Sequence, residues 1–247
     1  MRYFGLIGYP LRVSFSRKFF TEFFQKEKIA AQYDLYPLET IKDFPALLQK
    51  QRLSGLNVTI PYKELVLPFL DELDETAAAI AAVNVIKFME LHGEIRLKGY
   101  NTDLIGFVDS IKAFLKKHHT KALILGTGGA SKAVDYGLKT LGLATRFVSR
   151  NGNEDVYSYA DLNESIMQEY TVIVNTTPLG MSPNVDACPD IPYEFLTENH
   201  LLYDVIYTPE ETLFLSKGKA QDCVIINGLQ MLHGQAEAAW RIWNEKY

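Results

Sequence analysis

Two side chains able to move a proton stand where short apolar runs end. Lys63 lies in the stretch Asn57-Val58-Thr59-Ile60-Pro61-Tyr62-Lys63-Glu64. The β-type run Leu56 to Ile60 stops at Pro61, which has no N–H to give to a sheet ladder. Asp103 occupies a similar strand-to-helix corner in Gly99-Tyr100-Asn101-Thr102-Asp103. A glycine turn, Gly126-Thr127-Gly128-Gly129-Ala130, follows soon after. Oxidation of a secondary alcohol removes a hydroxyl proton as hydride leaves the same carbon. It needs an acid/base group and a cation near the developing alkoxide. Lys63 and Asp103 could supply both. Desolvation would make the lysine a base, and a nearby aspartate would oppose that, so which of the two takes the proton stays open. Each also has a plainer reading, Lys63 as a solvated surface charge and Asp103 as a first-turn residue that stabilises its helix.

The glycine turn follows the apolar strand Ala122 to Leu125 and opens a helix. A residue without a side chain at Gly128 lets a pyrophosphate approach the backbone, and the helix start offers N–H groups and a positive dipole end. The sixth position of this dinucleotide fingerprint is Ser131 rather than Gly or Ala. The next strand ends at Ser149-Arg150, where an NAD enzyme would carry an acid for the ribose 2′-hydroxyl. A guanidinium there favours the 2′-phosphate of NADP. Glu154 and Asp155 lie close by and partly oppose it. Ser14 and Ser16, two apart at a helix start, form either a carboxylate site or a simple N-cap. Thr59, Asn84 and Gln235 are neutral polar residues among apolar ones. They read as hydroxyl-binding groups or as ordinary structural hydrogen bonds.

The elements that position these residues alternate between strand and helix. Tyr3 to Ile7, Tyr33 to Leu38 and Gly55 to Thr59 read as strands. Phe15, Phe19, Phe20, Phe23 and Phe24 recur at helical spacing. Thr40 starts a helix to about Gln51, and helical segments run from about Lys63 to Ala82. Val83 to Met89 and Ile95 to Lys98 form a hairpin at a sheet edge. Residues 104–117 read as a linking helix. Strands then recur at 122–125, 145–149, 172–175, 202–205 and 224–226, with a helix opening at Asp161 and a last helix from Leu229 to about Asn244. The expectation is an α/β protein: an N-terminal α/β domain over 1–103 and a Rossmann-like, doubly wound parallel-sheet domain over 104–228.

Composition bounds the alternatives. The chain has 247 residues, 47% of them apolar, and a formal net charge of −5. A mildly acidic chain without a basic run leaves no footprint for nucleic acid or an anionic membrane. Its two cysteines and five histidines show no metal-ligand spacing, so no metal is expected, and His118-His119 read as solvated. The N-terminus does not read as a signal peptide, and no apolar run is long enough to span a bilayer. A cytoplasmic protein is the default.

In order along the chain, these motifs resemble the shikimate dehydrogenase family. Gly8-Tyr-Pro-Leu-Arg-Val-Ser14-Phe-Ser16 is similar to its substrate loop. Asn57 to Glu64 is similar to its catalytic-lysine motif, and Ala82-Val-Asn84 and Asn101-Thr-Asp103 to its substrate asparagine and catalytic aspartate. Gly126 to Ala130 and Ser149-Arg150 are similar to its cofactor elements. Asn175 to Met181, Tyr203 to Tyr207 and Asn227 to Gln235 are similar to its later signatures. The resemblance implies an NADP-linked enzyme interconverting shikimate and 3-dehydroshikimate. Lys63 and Asp103 would be catalytic, and Ser14 and Ser16 would hold the carboxylate. Thr59, Asn84, Tyr207 and Gln235 would surround the hydroxyls. Gly126, Thr127, Gly128, Gly129, Ala130, Ser149, Arg150, Val205 and Gly228 would contact the cofactor, with Glu75 added to that set. It also implies that the C-terminal helix, 229–247, returns to the substrate domain, that both domains wall one cleft, and that the protein is a monomer or homodimer. The chain departs from the family's pattern at Val13, where His is common, and at Arg17, where Pro is common. Asn151-Gly-Asn-Glu154 also lacks the Thr and the later basic residue often seen there. A quinate/shikimate dehydrogenase accepting NAD, and a non-catalytic ligand-binding protein on the same fold, are the alternatives.

Overall fold

The structure, a computed structural model, describes residues 1–11 and 14–245. The chain divides into two compact units, one of Met1–Thr102 with Ala236–Tyr247 and one of Asp103–Gln235. The first contains β1 (Arg2–Gly8), α1 (Phe15–Lys26), β2 (Ala31–Pro37), α2 (Phe44–Lys50), β3 (Gly55–Val58), α3 (Tyr62–Leu65), β4 (Glu72–Leu73), α4 (Glu75–Ile80), β5 (Val85–Leu91) and β6 (Glu94–Tyr100). Helix α5 (Thr102–Ile111) leads into the second unit. There follow β7 (Lys121–Leu125), α6 (Gly129–Thr140), β8 (Ala144–Ser149), β9 (Val156–Ser158), α7 (Glu164–Glu169), β10 (Val172–Asn175), β11 (Leu201–Asp204), α8 (Leu213–Lys219) and β12 (Val224–Ile226). Helix α9 (Leu229–Asn244) begins in the second unit and ends in the first.

The first sheet runs β2-β1-β3-β5-β6-β4. β1 pairs in parallel with both β2 and β3, while β5 runs antiparallel to β3 and to β6. The chain therefore leaves β1 toward β2 and then returns to β3 on the other side. Just past the two strands the Tyr9 N–H donates to the Ile60 carbonyl at 3.1 Å, and this switch point is where open α/β sheets take their ligands. Both faces are covered. Ile7, Leu56, Val58 and Ile86 face one core cluster, and Phe4, Leu6 and Val85 face another that includes Phe20, Ala239 and Trp243. Trp243 donates from Nε1 to the Ile86 carbonyl at 3.1 Å, and the Arg2 guanidinium lies over the Phe4 and Trp240 rings. These contacts tie the end of α9 to the first sheet.

The second sheet, β12-β11-β10-β7-β8-β9, is parallel throughout. Ala122 and Ile124 face one cluster, and Leu123 and Leu125 the other. This two-sided burial is why the inner strands β7, β10 and β11 read as largely apolar runs. Its switch point lies between β7 and β10, where Thr176 donates from its backbone to the Leu125 carbonyl at 3.0 Å.

Several elements differ from the sequence reading. The helical stretch expected over 63–82 is broken, and Glu72–Leu73 form a short strand paired with β6. The β5–β6 hairpin is therefore not the sheet edge. Helix α5 ends at Ile111, where the Phe114 N–H turns to the Ile111 carbonyl and tightens the last turn. The helix expected at Asp161 starts at Glu164. Asp161 closes a capping box with Ser158, and Asn163 caps α7 instead. β9 went unseen because three residues carry too little periodicity.

His119 is buried rather than solvated. Its Nδ1 accepts from the Lys116 N–H at 3.0 Å, and its Nε2 and that of His118 both meet the Asn199 carbonyl. Burial lowers the His119 pKa below its usual value. The Asn199 bond opposes this, and the charges of His118, Lys116 and His200 reinforce it. A depressed histidine contributes stability that is present above its unfolded pKa and lost as pH falls through the folded value. Melting temperature should accordingly fall below about pH 6.5. His119→Asn, which has no proton to take up there, should lose less over the same window. Equal losses in the two proteins would contradict this.

Candidate active site

Each sheet gathers its predicted residues at the carboxyl ends of its strands. In the first unit, Thr59 donates from its backbone to the Ile7 carbonyl and accepts from the Tyr62 N–H, both at 2.9 Å. That turn throws the chain into α3. The Tyr62 hydroxyl reaches the Leu38 carbonyl at 2.5 Å, and the Lys63 carbonyl accepts from the Val83 N–H at 2.8 Å. The backbone of Lys63 is thus pinned on both sides at the β1/β3 switch point, with its side chain half-buried.

Ser14 and Ser16 begin α1, which leaves the same edge from β1. Ser14 is the N-cap, and its hydroxyl accepts from the Arg17 N–H at 3.3 Å. A proline at position 17 would have no such N–H. The bond uses a lone pair of the Ser14 oxygen and leaves its O–H to donate to an anion. Val13, the other departure noted, lies outside the described residues. Burial pushes the pKa of the Tyr33 phenol up, and the neighbouring Ser16 hydroxyl lowers it in part. Tyr33 donates to Asn57 Oδ1 at 2.7 Å, and the Asn57 amide donates to the Asn84 carbonyl at 3.3 Å. A buried chain of hydrogen bonds therefore runs from Tyr33 in β2 through Asn57 in β3 to Asn84 before β5. The sequence reading assigned no role to Tyr33 or Asn57. The available signal was Asn57, the one polar side chain in β3, whereas Tyr33 lies between Gln32 and Asp34 and gave none.

Asn84 precedes β5, which runs antiparallel, so it too sits at this edge. It is 3% exposed, and its amide engages Thr102: Oδ1 accepts from the Thr102 N–H at 2.7 Å and Nδ2 donates to Oγ1 at 3.0 Å. Asn101 donates to the Ala82 carbonyl at 2.9 Å. The two asparagines fix the end of β6, from which Asp103, buried, opens the first turn of α5. Glu75 is exposed in the first turn of α4, after β4 on the same edge.

In the second unit the glycine turn lies at the β7/β10 switch point. Gly126 has φ +104°, a left-handed conformation that favours glycine, and Thr176 Oγ1 would lie 2.9 Å from an added Cβ. Gly128 is the N-cap of α6 and makes no side-chain cap bond, and a Cβ there would project into open space. Thr127 and Gly128 are exposed, and Gly129 and Ala130 half-buried. Ser131, the departure from the fingerprint, is fully buried and turns its hydroxyl back to the Gly128 carbonyl at 2.6 Å. The serine thus fits the tight position without crowding the turn. A twelve-residue helix offering bare N–H groups beside open space suits a pyrophosphate.

Arg150 is exposed just past β8, where Ser149 donates from its hydroxyl to the Asn151 carbonyl at 2.6 Å. Burial raises the pKa of Tyr159 and the nearby Arg150 charge lowers it. The Glu154 carbonyl is bound by the Arg146 guanidinium, and both Glu154 and Asp155 are exposed. Val205, half-buried, donates from its backbone to the Asn175 carbonyl at 3.0 Å. Gly228 packs so closely that a Cβ would lie 2.1 Å from the Val205 carbonyl oxygen. Gly228→Ala should therefore lower stability by about 1–3 kcal/mol, since backbone cannot move aside cheaply. A melting temperature unchanged from wild type would contradict that contact. Tyr207 is 38% exposed after β11, and Gln235, buried in α9, donates to the Leu232 carbonyl at 2.9 Å.

Asp204 was not predicted as a site residue. It ends β11, fully buried, and burial pushes its carboxyl up to about 6 while bonds from Thr212, Ile206 and Asn175 pull it back. Its signal was a carboxylate closing the apolar run Leu201-Leu202-Tyr203.

With this geometry in place, comparison with known proteins is decisive. Residues 6–86 match the family described as the shikimate dehydrogenase substrate binding domain. A shikimate dehydrogenase (NADP(+)) of Desulforamulus reducens is 34% identical, over 97% of this chain and 88% of that protein. The chain belongs to the shikimate dehydrogenase family. Among solved structures, the enzyme of Thermus thermophilus in complex with NADP(H) and shikimate superposes with a TM-score of 0.85. It is 29% identical, over 99% of this chain and 94% of that one. A quinate dehydrogenase of Corynebacterium glutamicum in complex with NAD also gives 0.85, at 26% identity over 98% and 93%. Among the described residues, no group of His, Cys, Asp and Glu could hold a metal ion, and no helix is long and apolar enough to cross a membrane.

Proposed function

We propose that this chain is an NADP-dependent shikimate dehydrogenase, interconverting shikimate and 3-dehydroshikimate and working in the cell toward reduction. The observation that carries the reading is Lys63, held by its backbone at the switch point of the first sheet in a chain of this family. NADPH, when bound, supplies the hydride. Lys63 and Asp103 move the proton at the reacting oxygen and offset its developing charge. Ser14 and Ser16 hold the substrate carboxylate by hydroxyl and helix-start N–H groups. Thr59, Asn84, Tyr207 and Gln235 order the hydroxyls, Asn84 also through its hold on Thr102. The glycine turn, Ser149, Val205 and Gly228 seat the cofactor, with Glu75 beside it, and Arg150 pairs with the 2′-phosphate. We place the protein in the cytoplasm, as a monomer or homodimer.

Purified protein given shikimate and NADP+ should form one NADPH per 3-dehydroshikimate, and the reverse mixture should consume it. Ligand-induced thermal stabilisation without turnover would sink the catalytic reading and leave a binding protein. A second reading, quinate oxidation with NAD, draws support from the likeness to the Corynebacterium glutamicum enzyme.

A further inference from the structure

A buried hydrogen-bond network in the second unit has no part in the chemistry above. Asp204, Asn175 and Thr212 are each 0% exposed. Asp204 Oδ1 accepts from the Asn175 side-chain amide at 3.1 Å and from the Ile206 N–H at 3.0 Å, and Oδ2 accepts from the Thr212 hydroxyl at 2.6 Å. Asn175 in turn offers its own Oδ1 to the Thr177 N–H at 3.0 Å and hydroxyl at 2.7 Å.

A side-chain amide can point either way round at nearly equal steric cost. Three groups select one orientation: the Thr177 N–H needs the oxygen on its side, and the N–H₂ donates to Asp204 at 3.1 Å and to the Leu179 carbonyl at 3.4 Å, so Asp204 is the nearer of its two acceptors. One carboxyl group therefore sets three segments: the turn after β10, the turn after β11 and the start of α8. The first of these carries Thr176, which donates to the Leu125 carbonyl at 2.7 Å and lies against Gly126. The second carries Val205, whose carbonyl lies against Gly228. A carboxyl group with no cation among its hydrogen-bond partners is a costly way to fill a core. An apolar side chain would pack there at less cost but would leave the Asn175 N–H₂ with only the long bond to the Leu179 carbonyl.

We propose that Asp204 is a positioning residue for the dinucleotide, acting through Asn175 on the turns that flank the glycine cradle. This rests on the cofactor reading given above.

The test is calorimetric titration of NADP+ and of NAD+ into the substrate-free protein, with melting temperature and amide exchange at Thr177 and Ile206 measured alongside. Asp204→Ala should weaken dinucleotide binding about tenfold or more and deprotect both amides. Asp204→Asn keeps an acceptor for Asn175 and a donor for Thr212, and should restore affinity to within about threefold of wild type. Thr212→Val, a milder change, should weaken binding about threefold. Wild-type affinity in Asp204→Ala would overturn the proposal, whatever the melting temperature did. If Asp204→Ala does not fold, wild-type affinity in Thr212→Val overturns it. So does an Asp204→Asn protein no better than Asp204→Ala. Wild-type protein that binds NAD+ but not NADP+ would overturn the cofactor reading alone, and the variants would then be judged on NAD+. Binding of neither would overturn both.

Discussion

Lys63→Ala should lower kcat by about 10²–10⁴-fold, the range for loss of a positioned acid/base group. KM for shikimate should move by no more than about threefold, because carboxylate and hydroxyl contacts are made elsewhere. The separation is expected because the backbone at Lys63 does not depend on its side chain. The Tyr62 hydroxyl bond to Leu38 and the bond from Val83 to the Lys63 carbonyl both survive truncation. The substitution should leave the melting temperature close to wild type, and that measurement separates a chemical effect from a folding one. A folded Lys63→Ala protein with near-normal kcat would remove Lys63 from the proton transfer.

Arg150→Ala should raise KM for NADP by about 10- to 100-fold and leave KM for NAD unchanged. The figure follows from losing a charge-assisted hydrogen bond of about 1.5–3 kcal/mol. Arg150 is exposed and lies past the last residue of β8, so its removal opens no cavity. Glu154 and Asp155 stay exposed nearby, and their repulsion of a phosphate should count for more once the guanidinium is gone. The effect should shrink as salt rises, as it must for a screened ion pair. Equal weakening with both cofactors would mean that Arg150 shapes the loop and does not read the phosphate.

Much of this site was legible because its residues obey local rules. Ser14 caps α1 as its type and the phenylalanine spacing predict. The glycine turn sits between an apolar strand and a helix, and α9 runs over the residues expected from its apolar face. What escaped is non-local or short. The two-residue β4 has no period to read, yet it displaces the β5–β6 hairpin from the sheet edge. Tyr33 and Asn57 act through partners 24 positions apart, and Asn175 and Asp204 through partners 29 apart. No sequence window shows such a pair. Only parallel strand pairing brings the ends of β10 and β11 side by side. Arg17 is a case of the opposite kind. It stands out as an unusual residue, but its exposed side chain matters less to the cap than its backbone N–H.

The most direct test of the account is kcat/KM measured from the reduced-nicotinamide absorbance for shikimate and quinate, each with NADP+ and NAD+. The shikimate–NADP+ pair should exceed each of the other three by about tenfold or more. Comparable values with quinate or with NAD+ would contradict it and favour a broad-specificity enzyme, and no turnover in any pair would contradict it outright.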